Sequence, residues 1–124
     1  MSKEKMYFGP EIALEKECTM KDVKVYQDYS VSLLQTDISL GTALSNDKFM
    51  KIQLLERADG LKWFCWTVQG RVGNLKVPER SKEFLNRTDA KAEFEKLFFK
   101  KTGNKWMEKD MFKAKPGLFT MVNQ

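Results

Sequence analysis

The stretch LKWFCWTVQGRVGN, Leu61 to Asn74, decides the fold. From Leu61 to Gln69, Phe64, Trp66 and Val68 fall on one side of an extended chain, and Trp63, Cys65 and Thr67 fall on the other. Both sides are substantially apolar, which places this strand centrally in a sheet. The character then changes at Gly70-Arg71-Val72-Gly73. Glycine packs nothing in a sheet interior, and arginine is seldom buried without a partner. An arginine between two glycines therefore has a reason other than sheet stability.

Upstream, Ala58-Asp59-Gly60 is a hairpin turn signal, and Lys48 opens a strand-length apolar run from Phe49 to Leu55. Before it stands the turn cluster Ser45-Asn46-Asp47. Earlier still, Val23-Lys24-Val25 and Val31-Ser32-Leu33 are two short extended segments, the second ended by Gln35-Thr36-Asp37 and Gly41. Downstream of Gly73, a further extended piece runs through Val77 and stops at Pro78. The period then becomes helical. Thr88 is the expected cap, Asp89 suits the positive end, and Ala90, Phe94, Leu97, Phe98 and Lys101 recur on one face until Gly103. Lys91, Glu95, Lys96 and Lys100 point toward water. Trp106, Met111 and Phe112 extend the apolar cover, and Pro116-Gly117 turns the chain into a last short strand from Leu118 to Val122. The expected fold is α+β: a twisted antiparallel β-sheet with one main α-helix packed on one face, spanning residues 23–124. Residues 1–22, with alternating charges and little periodicity, are expected to form a flexible N-terminal arm.

The 124 residues can bury a core without staples, and the 42% hydrophobic share indicates a folded globule. A net charge of +5 makes acidic polymers candidate partners. With no histidine in the sequence, the usual Ser-His-Asp and Cys-His catalytic arrangements and the histidine-bearing zinc sites are excluded. Cys18 and Cys65 are too far apart for a CxxC motif, so reduced thiols in an intracellular setting are expected, with no metal and no cofactor. No secretory signal and no membrane-spanning run is evident.

Two constellations carry the candidate chemistry. The Gly-x-x-Gly at 70–73 is flanked by strands on both sides, which rules out a clamp of the kind that needs helices there, and it lacks the Lys-Ser/Thr of a phosphate loop. A bulge or bend would account for the glycines and leave Arg71 unexplained. Lys100-Lys101-Thr102-Gly103-Asn104-Lys105-Trp106 gathers lysines that could track phosphates or complement the negative end of the helix. No pair of carboxylates sits in a setting that would part their pKa values, so an enzyme is not expected.

Eight segments in register resemble the WGR domain of DNA-dependent poly(ADP-ribose) polymerases over roughly residues 24–122: Val-Tyr-Gln-Asp-Tyr (25–29), Leu-Leu-Gln-Thr-Asp-Ile (33–38), Asn-Asp-Lys-Phe (46–49), Ile-Gln-Leu-Leu (52–55), Gly-Arg-Val-Gly (70–73), Asp-Ala-Lys-Ala-Glu-Phe-Glu-Lys (89–96), Lys-Thr-Gly-Asn-Lys-Trp (101–106) and Pro-Gly-Leu-Phe (116–119). The resemblance implies a non-catalytic module that contacts DNA ends or nicks at the 5′ phosphate. Such a module relays the contact to helical and catalytic ADP-ribosyltransferase regions elsewhere, in the nuclear DNA damage response. It implies DNA-binding roles for Asn46, Lys48, Gln69, Gly70, Arg71, Gly73, Lys101, Lys105 and Phe119. A guanidinium at Arg71 would offer planar, multidentate hydrogen bonds, with the glycines allowing close approach, and Lys101 and Lys105 would add phosphate contacts. A monomer is expected. Gln69 stands at the family's signature tryptophan, so the indole that covers a terminal base or sugar is missing. Leu118-Phe119 replaces the usual Lys-Tyr, the loop from Asp37 to Asn46 is longer, and Leu75-Lys76 stands where a second glycine is usual. The alternative is a protein-interaction module that has kept the scaffold and lost DNA-end recognition.

Overall fold

The computed structural model describes residues 7–35, 47–73 and 77–122. Strands β1 (Val23–Gln35), β2 (Lys48–Arg57), β3 (Trp63–Arg71), β4 (Glu79–Phe84) and β5 (Thr120–Met121) form a five-stranded antiparallel sheet in the order β4-β3-β2-β1-β5. Helix α1 (Arg87–Thr102) lies on one face, followed by a 3₁₀ turn over Trp106–Met111. The α+β fold expected from the sequence is the one observed. Strand β3 lies between β2 and β4, as its two apolar faces require.

The two short segments expected at the start of the sheet are one bulged strand. Pairing of β1 with β2 shifts register between Val25 and Ser30, where Gln27 takes a positive φ of 50°. The bulge turns both Tyr26 and Tyr29 into the helix-side core, which breaks the alternation a regular strand would display. That core is closed by aromatic rings around Trp106, whose centroid lies 4.8 Å from Phe94, 5.1 Å from Phe98 and 5.6 Å from Tyr29. These separations suit tilted and edge-to-face ring contacts.

Helix α1 is capped by Asn86 rather than Thr88. The Asp89 N–H donates to Asn86 Oδ1 at 2.8 Å, and Asn86 keeps an extended backbone while Thr88 is already inside the first turn. At the other end Gly103 adopts φ 72°, and its N–H donates to the Phe99 carbonyl at 2.7 Å. Ala90, Phe94 and Phe98 form the buried face, and Thr102 takes the place expected of Lys101. Met111 is exposed and adds no cover.

The fourth strand begins after Pro78 rather than ending there. Its sequence Glu-Arg-Ser-Lys-Glu-Phe shows no apolar alternation because it is an edge strand, held by backbone pairing to β3 and exposed along most of its length. Val77 and Pro78 lie outside any strand, and residues 74–76 lie outside the described residues.

The segment expected as a flexible arm is, over its described part, packed on the second face of the sheet. Ile12, Leu14, Cys18 and Met20 cover a cluster of Val25, Leu55, Trp66 and Val68. The fully buried Gln53 fastens it: its Oε1 accepts from the Glu15 N–H at 3.1 Å, while its Nε2 donates to the Ala13 carbonyl at 3.1 Å and to Ser30 Oγ at 2.9 Å. Lys51 Nζ adds ion pairs to Glu15 at 3.2 Å and Glu17 at 3.1 Å.

Replacing Gln53 by alanine removes these links and leaves the Ala13 and Glu15 backbone groups to find other partners. Urea unfolding is expected to show a loss of about 1–3 kcal/mol. The strap is also pH-dependent. Burial alone would push the Glu17 carboxyl up, but the Lys51 hydrogen bond, the segment's own backbone and the neighbouring ammonium charges hold it below its ordinary 4.5. Burial likewise pulls Lys51 down, and its bonds to Glu17 and Glu15 outweigh that and raise it above 10.5. A lowered carboxyl contributes stability above its unfolded pKa and loses it as the pH falls through the folded value. A raised ammonium contributes below its unfolded pKa and loses its share as the pH rises through the folded one. Amide hydrogen exchange across residues 12–20 should therefore be slowest, relative to its intrinsic rate, between 4.5 and 10.5 and should accelerate on acidification below 4.5.

Candidate nucleic-acid interface

Strand alternation places Thr67, Gln69 and Arg71 of β3 on the same side of the sheet as α1. Their register partners share that side: Lys48 lies opposite Arg71, Met50 opposite Gln69, and Arg80 opposite Thr67. Gln69 and Arg71 are exposed where Trp63 and Cys65 of the same strand are buried. The connection beyond the strand is pinned by the Val72 N–H, which donates to the Asp47 carbonyl at 3.0 Å.

Between this end of the sheet and the last turn of α1 runs an open groove of about 360 Å³. Met50, Thr67, Gln69, Pro78 and Arg80 line it from the sheet side, and Leu97, Lys100 and Lys101 from the helix. Lys48 and Arg71 extend the same rim. Among the described residues, none of Lys48, Arg71, Arg80, Lys100 and Lys101 is ion-paired with a carboxylate. The two lysines also complement the negative end of the helix.

The other expected site residues are distributed differently. Gly70 projects to the opposite face, where an added Cβ would run into the Val77 Cγ1 methyl and come within 3.5 Å of Phe49. Internal close packing accounts for that glycine. Gly73 has a φ of 96° with open space around it, a conformation that suits a residue without a side chain. Phe119, expected at the surface, is 6% exposed and belongs to the helix-side core. Its N–H donates to the Lys101 carbonyl at 2.9 Å, and Lys101 Nζ lies 5.9 Å from its ring, so it supports the lysine from below. Lys105 is exposed beside Phe99, Asn104 and Lys113, away from the groove. Asn46 lies outside the described residues. Arg80 was missed because its strand carries no apolar pattern. Its signal was a cation one strand away from Thr67 on the same face.

Burial pushes the Cys65 thiol up to about 12, with Glu93 adding to the shift and Lys82 opposing it, and burial also raises Cys18. A protonated thiol is a poor nucleophile. Among the described residues no three His, Cys, Asp or Glu side chains gather to hold a metal ion, and no helix is long and apolar enough to cross a membrane.

A twisted five-stranded sheet, one main helix and a cationic groove at the Gln69-Gly70-Arg71 rim define a WGR-type module. The WGR domain profile matches residues 29–113, and the chain belongs to that family. It is 41% identical over 100 residues to protein mono-ADP-ribosyltransferase PARP3 of Mus musculus, an alignment covering 81% of this chain and 17% of the relative. It is 33% identical over 115 residues to poly [ADP-ribose] polymerase 2 of Homo sapiens, covering 88% of this chain and 19% of that protein. Poly [ADP-ribose] polymerase 1 of Arabidopsis thaliana is 32% identical over 94 residues, 73% of this chain and 9% of the relative. The chain thus spans less than one fifth of the length of these curated relatives. What it shares with them is a WGR module of the poly(ADP-ribose) polymerase type.

The close approach at Gly70 has a measurable consequence. Gly70→Ala is expected to cost about 1–3 kcal/mol through overpacking against Val77. Most of that cost should vanish when the substitution is made in a Val77→Ala background, as read from a double-mutant cycle of denaturation midpoints.

Proposed function

We propose that this WGR module binds DNA ends and nicks that carry a 5′ phosphate, and relays that contact to helical and ADP-ribosyltransferase regions outside the chain, as a monomer in the nuclear DNA damage response. The observation that carries the reading is the rim formed by Lys48, Arg71, Arg80, Lys100 and Lys101, which have no carboxylate partner among the described residues. Cations left unpaired on one face are suited to phosphates, and binding of this kind weakens steeply with salt. Arg71 is the central contact, because its planar guanidinium can address two oxygens of one phosphate.

The test is a titration of a short hairpin duplex with one 5′-phosphorylated end against the same duplex closed at both ends, repeated over a salt series. The open end should bind more tightly, and the preference should shrink with salt. Arg71→Ala should lose about tenfold or more in affinity while changing folding stability by less than about 0.5 kcal/mol, because the side chain is exposed. No binding to either duplex at low salt would leave the second reading, a protein-interaction module, which the Gln69 substitution at the signature position favours.

A further inference from the structure

The lining of the groove is divided in a way that a phosphate alone does not explain. Arg80, Lys100 and Lys101 supply positive charge, while Met50, Leu97 and Pro78 supply apolar surface in the same concavity. A ligand matching both halves carries an anion and a flat, weakly polar body a bond or two away. A nucleotide unit has that composition. At about 360 Å³ the groove is at the small end of the range for ligand pockets, enough for one such unit. A duplex cannot put a base there without unpairing it.

We infer that the groove between β4 and the last turn of α1 takes one unpaired nucleotide, so that the module prefers DNA ends with a single-stranded extension over blunt ends. This rests on the DNA-end reading above and specifies its substrate. The phosphate lies against Arg80 and the paired lysines, and the base lies over the apolar wall. Gln69 opens onto the same groove. Its amide both donates and accepts, so it can hydrogen-bond a base edge that Watson–Crick pairing would otherwise occupy. Arg80 and Gln69 are then the residues that set end preference, while Arg71 and Lys48 hold the rim.

The experiment compares two hairpin duplexes with identical stems and a 5′ phosphate on each open end, one blunt and one carrying a three-nucleotide 5′ extension, for the unaltered chain and for Arg80→Ala and Gln69→Ala. The extended end should bind about tenfold more tightly, and both substitutions should bring the ratio of affinities toward one. Equal affinity of the unaltered chain for the two ends would overturn the inference while leaving DNA-end binding in place. Should neither duplex bind, the DNA-end reading fails, and a titration with a 5′-phosphorylated trinucleotide decides the groove separately. Amide resonance shifts confined to Thr67, Gln69, Arg80 and the Leu97–Lys101 turn would uphold it, and their absence would overturn it.

Discussion

Strand β3 carries large apolar side chains on both of its faces, and both must be kept from water. Trp63 and Cys65 meet the helix-side core, while Trp66 and Val68 meet the second cluster. The first face is covered by α1, held down by the rings around Trp106, and the second by residues 12–20, fastened through Gln53. Each large buried side chain contributes roughly 1.5–3 kcal/mol before chain entropy is set against it. At the end of the same strand Gln69 and Arg71 are exposed, with the last turn of α1 facing Gln69 across an open groove.

Several cations away from the rim have carboxylate partners: Lys51 with Glu15 and Glu17, Arg57 with Asp59, Lys62 with Glu83, and Lys109 with Asp28. Several of these pairs tie distant parts of the chain together, while an exposed pair such as Arg57 with Asp59 contributes little. At the rim, cations from three strands and a helix are grouped with no carboxylate partner among the described residues. Side chains held close with like charge repel one another, so this grouping is unfavourable for the isolated fold and favourable once an anion enters.

Much of the frame was legible in the sequence. A strand-length apolar run identified β2, two apolar faces in alternation identified β3, helical spacing identified α1, and Asp59-Gly60 marked the hairpin between the strands. What was hidden had no side-chain pattern to show. Strand β4 is specified by backbone pairing, and its charged residues carry no strand pattern. The bulge in β1 places Tyr26 and Tyr29 on one side, which a strict alternation cannot do. Gly70 looked like a device for ligand approach, but the residue that demands it, Val77, lies across the sheet's second face and seven positions away in sequence. Phe119 was read from the family resemblance as a surface residue, yet its ring closes the core under Lys101. Arg71 and Lys101 were singled out in the sequence because a cation beside a glycine or a helix end is a local feature. Arg80 was not, because its contribution depends on which strand it pairs with.

The two margins of the sheet have a consequence for assembly. At one margin β4 presents glutamate, arginine, lysine and glutamate along an exposed strand; at the other, β5 is two residues long. A foreign strand approaching the first must desolvate a row of charges, and at the second it finds almost no backbone to pair with. Sheet-to-sheet polymerisation is disfavoured at both margins even though the strands inside are strongly apolar.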